Sequence, residues 1–151
     1  MRTATSLKKS AVIKKSSSVI NNAPPARATA ALLRAYAPEV EELGLATRTL
    51  ILQIFPNLNT EQVDNTARVI GFGYSAKYAD TVCVIMPTNE GITLGIGYGS
   101  ELPDPAKLME GTGKVHRHVK LKSAADLKNP ALRDLLVAAL DRRKKLGLPI
   151  S

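Results

Sequence analysis

LMEGTGKVHRHVKLK, residues 108–122, decides how the rest of the chain is read. Gly111 and Gly113 bracket Thr112, and glycines this close mark backbone that needs positive φ or a close approach. From Lys114 onward the side chains alternate with the period of a strand. Val115, Arg117, Val119 and Leu121 fall on one face, and Lys114, His116, His118, Lys120 and Lys122 on the other. The first face is apolar except for Arg117. The second is basic and carries both histidines of the chain.

An arginine on an apolar face must meet carboxylates or carbonyls, because a buried unpaired charge is prohibitive. Two readings of Arg117 follow. It is a structural fork tying the strand to an acidic group, or it is a clamp for a ligand carboxylate or phosphate. His116 and His118 can supply two metal ligands, short of the four, or three plus water, that zinc takes. The GTGK run at 111–114 is not a phosphate-binding Walker loop, because the spacer and the following Ser or Thr are missing.

Working outward, 151 residues allow one domain and a tail, with 44% apolar residues to build a core. No apolar run is long enough to span a bilayer. The lone cysteine, Cys83, lies in the apolar run TVCVIM (81–86) and reads as a buried thiol in a reducing, cytoplasmic setting. The formal charge of +8 is unevenly placed. Residues 1–38 hold seven cations and no acid, residues 39–110 are net acidic, and residues 111–151 are net basic. The high pI thus belongs to the tail and does not by itself indicate a nucleic-acid-binding domain.

Residues 1–25 are rich in Lys, Ser, Thr and Ala and show no hydrophobic periodicity, so they read as a basic disordered arm. Three roles compete for it: weak polyanion binding, targeting, or none. The domain then runs over 26–151. Helical spacing predicts a helix over 26–36 and a second from Pro38 to the Phe55-Pro56 stop, buried through Val40, Leu43, Thr47, Leu50, Ile51 and Ile54. Asn59 with Gln62 resembles a capping box and predicts a helical turn over 60–65. Strands follow near 67–72, over 81–86 and over 92–96, the last two a hairpin. TVCVIM is apolar on both faces, which suits a central strand covered on both sides. Asp104-Pro105 predicts a short helix to Met109. Asn129 and Pro130 open a final helix with Leu132, Leu135, Leu136, Ala139 and Leu140 as its buried stripe and Gly147 as its stop. Arg142, Arg143, Lys144 and Lys145 complement the dipole at its end as solvated charges. The fold class is α+β: an antiparallel sheet of about four strands with N- and C-terminal helices packed against it.

Four stretches carry a resemblance: YADTV (78–82), GSELPDP (99–105), LMEGTGKVHRHVKLKS (108–123) and NPAL (129–132). Together, over about 30–146, the chain resembles the YdhG-like domain family, small bacterial proteins of mostly unknown function. Some members are described as frataxin-like intracellular iron chaperones. The resemblance implies an α+β fold and marks Gly111, Gly113, Lys114, Arg117, His118 and Lys120 as characteristic positions without assigning them roles.

No catalytic signature is present: GxSxG, HExxH, CxxC and the dinucleotide fingerprint are all missing. The leading expectation is a non-enzymatic binding module taking a small anion or carboxylate and needing no cofactor. Its pocket would gather Lys114, Arg117, His118, Tyr74 and Tyr78, with Gly111, Gly113 and Lys120 around them. The family suggests an iron-binding alternative, with His116, His118 and the acids Glu39, Glu41, Glu42, Glu61 and Asp64 as hard donors. A third reading makes the basic arm a nucleic-acid accessory. Partners other than a small anion, a protein or a polyanion are not indicated, and no membrane is.

Overall fold

The computed structural model describes residues 19–151. Two helices open the fold, α1 (Arg27–Arg34) and α2 (Pro38–Ile54). Pro38 sits in the first turn of α2, where its missing N–H costs nothing, and Glu39 and Glu41 face the positive end of the dipole. The buried stripe is Val40, Leu43, Thr47, Ile51 and Ile54, while Leu50 lies partly exposed at its margin. At Gly44 a Cβ would come within 2.7 Å of Leu33 Cδ2, so glycine lets α1 close on α2.

The strands are β1 (Thr60–Asp64), β2 (Val69–Gly73), β3 (Thr81–Pro87), β4 (Ile92–Ile96), β5 (Met109–Glu110) and β6 (Arg117–Leu121). They form one six-stranded sheet in the order β1-β2-β3-β4-β6-β5, every pair antiparallel. A short helix, α3 (Ala124–Leu127), and a long one, α4 (Pro130–Lys145), complete the chain. Asn129 caps α4 by accepting the Ala131 amide, and the expected stripe of Leu132, Leu135, Leu136, Ala139 and Leu140 is buried. Gly147, at φ +69, closes a Schellman turn in which the Leu148 amide reaches the Arg143 carbonyl.

The α+β class stands, but the sheet has six strands instead of about four. Both additions are edge strands that look unlike strands locally. β1 occupies the segment expected to be a helical turn. Asn59 does not cap anything: its amide donates to the Gly73 carbonyl at 3.1 Å and extends the ladder into β2. The expected helix after Asp104 is also not formed. The Asp104 carboxylate accepts the Leu108 and Met109 amides, Lys107 turns to φ 56, and the chain enters β5. β2 begins at Val69, because Asp64 first accepts the Thr66 and Ala67 amides in a turn. β6 begins only at Arg117, because the residues before it fold back on the 98–100 segment.

Contacts with the fold reach upstream of residue 26. The Ile20 amide donates to the Leu58 carbonyl, and the Asn21 side chain bonds Leu52, Phe55 and Leu58 backbone. Arg48, only 5% exposed, donates to the Ala23 and Pro24 carbonyls and forks onto Glu61 at 2.9 and 3.0 Å. The rest of the expected basic arm, residues 1–18, lies outside the described residues. Arg143 corrects a second expectation. It is not a solvated end charge but is 4% exposed, reaching Asp80 at 3.4 Å, the Pro149 carbonyl and the face of the Tyr74 ring.

Among the described residues the α-helices lie on one side of the sheet. Ile70, Phe72, Ile85, Leu94, Val119 and Leu121 point into that side and are buried. The register sets Gln62, Gly71, Val84, Gly95, His118 and Glu110 in one cross-strand row on the other side. Asp64, Val69, Met86, Thr93 and Lys120 sit in the next row, and no residue of either row is buried. TVCVIM is therefore central but covered on one side only. Among the described residues no helix is long and apolar enough to cross a membrane.

Candidate ligand groove on the open sheet face

A groove of about 360 Å³ runs across this uncovered side. Val69, Val84 and Met86 form its apolar wall, and His116 and His118 close the opposite end. Thr81, Gly95 and Gly97 contribute to its lining. Its volume is at the small end of the range for ligand pockets, about 300–1,000 Å³.

Tyr78 stands at the rim, 73% exposed, with its ring edge-on to His116 at 5.2 Å. It rides on a loop anchored from below. The Asp80 carbonyl accepts the Tyr74 amide, and its carboxylate accepts the Ser75 hydroxyl at 2.6 Å and faces Arg143. The buried Arg143 pair thus reaches the groove indirectly, by fixing the segment that holds Tyr78.

His116 is held from its other side. Its Nδ1 accepts the Tyr98 amide at 3.1 Å, and the Tyr98 ring lies edge-on at 5.9 Å. Tyr98 itself is at φ 58, a left-handed turn that aims its amide back across the loop. The Ser100 amide donates to the Val115 carbonyl and zips the same two segments together. His118, opposite Gly95 on β4 and Glu110 on β5, is half-buried. Gly111, at φ +112, packs so close that a Cβ would lie 3.1 Å from His118 Cε1. Gly113 presses on the His116 carbonyl, where a Cβ would lie at 2.7 Å. Gly111 is therefore required by its left-handed backbone, and Gly113 by its close approach to the His116 carbonyl.

Arg117 also lines the groove, but it is half-buried and not sunk in the core. Its guanidinium donates to the Gly113 carbonyl and meets no carboxylate among the described residues. Arg117 is the first residue of β6, at the end of the strand. Lys114 is exposed beyond it, and Lys120 is exposed on the open face, 3.6 Å from Glu110.

Tyr74 does not belong to this group. It points to the helical side, 3% exposed, and donates its hydroxyl to the Pro56 carbonyl at 2.8 Å. Burial pushes its pKa up to about 12, against the lowering effect of Arg143. Cys83, wholly buried, has its thiol pushed up by desolvation, as an inert core residue would.

The donors considered for iron are scattered. Glu61 is taken by Arg48, Asp64 by its own turn, and Glu39, Glu41 and Glu42 lie at the start of α2. Among the described residues no three His, Cys, Asp or Glu side chains converge. Sequence reasoning missed Val84, Met86 and Gly95 as lining residues, and Tyr98 as the group that orients His116. The apolar character of both faces of TVCVIM was the available signal for the first two. No family model matches this chain, nor does any curated protein or solved structure.

Proposed function

We propose that this chain is a small non-enzymatic binding module whose open sheet face holds a ligand with an apolar body and an anionic end. The observation that carries the reading is the orientation of His116. Because its Nδ1 accepts the Tyr98 amide, the ring proton of the neutral imidazole sits on Nε2. That nitrogen is a donor. It has no hydrogen-bond partner among the described residues. A fixed donor at the end of an apolar groove selects an acceptor, and Arg117 and Lys114 beside it in the chain favour a negative one. Lys120 faces Glu110, so it adds less.

Isothermal titration of the full chain against a panel of small carboxylates and inorganic phosphate tests this. His116→Ala and Arg117→Met should each weaken carboxylate binding at least about tenfold, about 1.4 kcal/mol, with little change in melting temperature. Unaltered affinity in both variants, with stability kept, would remove the anion site. Unaltered affinity in Arg117→Met alone would confine the donors to the imidazole end.

A further inference from the structure

The glycines of the sheet divide into two kinds. At Gly73, Gly97 and Gly99 a Cβ would lie 2.6, 2.7 and 2.9 Å from Asp80 O, Thr81 O and Arg117 Cβ, so packing demands glycine there. At Gly71 and Gly95 the fold makes no such demand. The nearest atoms to a Cβ at Gly95 would be Met86 Cε at 3.4 Å and Val84 Cβ at 3.5 Å, ordinary contact distances. At Gly71 nothing would lie nearer than 3.8 Å. Neither has the positive φ that excludes a side chain. Glycine inside a strand weakens it, and where no bulge or turn requires it, it marks a place where something else approaches the backbone.

Both unrequired glycines lie in the same cross-strand row as Val84 and His118, Gly71 on one side of Val84 and Gly95 on the other. Gly95 is the direct partner of His118. Of the two, Gly95 lines the groove, and it leaves a patch of bare peptide plane between Val84 and His118, with Met86 beside it. A flat surface of this kind is complementary to a flat molecule, whereas a puckered ring or branched chain leaves gaps that lose dispersion contact.

We infer that the ligand is a planar aromatic carboxylate of one or two rings, laid on the Gly95 backbone against Val84 and Met86 with its carboxylate toward the His116 and His118 end. This rests on the anion reading above and adds the shape of the ligand body. Charge supports the orientation. Arg117 lies at the His116 end, and the acid of the row, Glu110, lies beyond His118 facing Lys120. Volume supports the size, since about 360 Å³ suits a small ring system.

The test titrates the full chain with 2-naphthoate, its fully saturated decahydro counterpart and 2-naphthylamine. It repeats the titrations on Gly95→Ala and Gly95→Val, with melting temperatures and sedimentation for all three proteins. Expected is binding of 2-naphthoate at least tenfold tighter than either comparison compound, falling at least tenfold in Gly95→Val with melting temperature maintained. Equal binding of the two acids, lost in His116→Ala, would overturn the planar ligand and leave the anion site standing. Binding of neither acid, with tighter binding of the amine, would overturn both. A wild-type dimer that Gly95→Val dissociates would assign the face to a second copy and overturn the ligand.

Discussion

The two faces of the sheet are built from the same strands but solve different problems. On the helical side Ile70, Phe72, Ile85, Leu94 and Leu121 are sealed. On the other side Val69, Val84 and Met86 are equally apolar yet remain half-exposed. The polar residues follow the same division. Arg48, Glu61, Asp80 and Arg143 are used up in ion pairs on the covered side. On the open side His116 makes one hydrogen bond among the described residues, through Nδ1, and Tyr78 stands out in solvent. An apolar patch bounded by polar groups is what an interaction surface leaves exposed. The covered side is spent on stability, and the open side is left with chemistry to offer.

The largest expected effect tests the covered side. Arg48→Met strands Glu61, whose side chain is 4% exposed, and releases the Ala23 and Pro24 carbonyls. Leaving one member of a buried pair alone costs roughly 3–5 kcal/mol. Urea denaturation should therefore give a midpoint far below wild type. A loss under about 1 kcal/mol would place this pair with surface bridges and erase the contrast in charge use.

Paired truncations along β3 probe the contrast in packing directly. Ile85→Ala on the sealed side should cost about 2–5 kcal/mol as a buried cavity. Val84→Ala, one residue earlier and on the open face, should cost about 1 kcal/mol or less. Equal losses would mean that the open face is packed in solution.

How far the fold was legible follows from where its information lies. α4 could be read because Asn129-Pro130, the leucine stripe and Gly147 are all local signals. β1 could not, because Thr60–Asp64 becomes a strand through its ladder with β2, whereas Asn59 and Gln62 alone imitate a helix start. β5 is a strand through Val119 and His118, not through its own two residues. Arg143 reads as one cation in a basic run, and only the tertiary fold brings Asp80 and Tyr74 to it. At the site, alternation put His116 and His118 on one face, and both line the groove. It could not say what covers a face, so the open side of TVCVIM was hidden. Tyr74 and Tyr78 lie four residues apart around a loop, and the chain reverses between them to put one in the core and the other at the rim.

Tyr74 gives a smaller effect. Tyr74→Phe removes the bond to Pro56 and should cost about 1 kcal/mol at neutral pH. The sign of its alkaline effect is fixed by the raised pKa. The neutral phenol is favoured in the folded state, so its stabilisation is complete below the unfolded value of about 10 and is lost as pH rises through about 12. Wild type should lose stability over that window with up to one more proton of slope than Tyr74→Phe. The Cys83 thiol acts in the same direction but is common to both proteins. Parallel curves would show that the Tyr74 hydroxyl is not sealed in the way the covered face requires.

The smallest change is also the sharpest. Replacing glycine by alanine in a strand restricts the unfolded chain and should stabilise by about 0.4–1 kcal/mol wherever the folded state has room. Gly71 and Gly95 have that room, whereas at Gly73 the methyl would meet the Asp80 carbonyl at 2.6 Å. Thermal denaturation should place Gly71→Ala and Gly95→Ala slightly above wild type and Gly73→Ala below it. If the open-face variants fall as well, the backbone there is under a constraint that the packing distances do not reveal. Those glycines would then belong to the fold. If they rise, the fold itself has no need of glycine at either position.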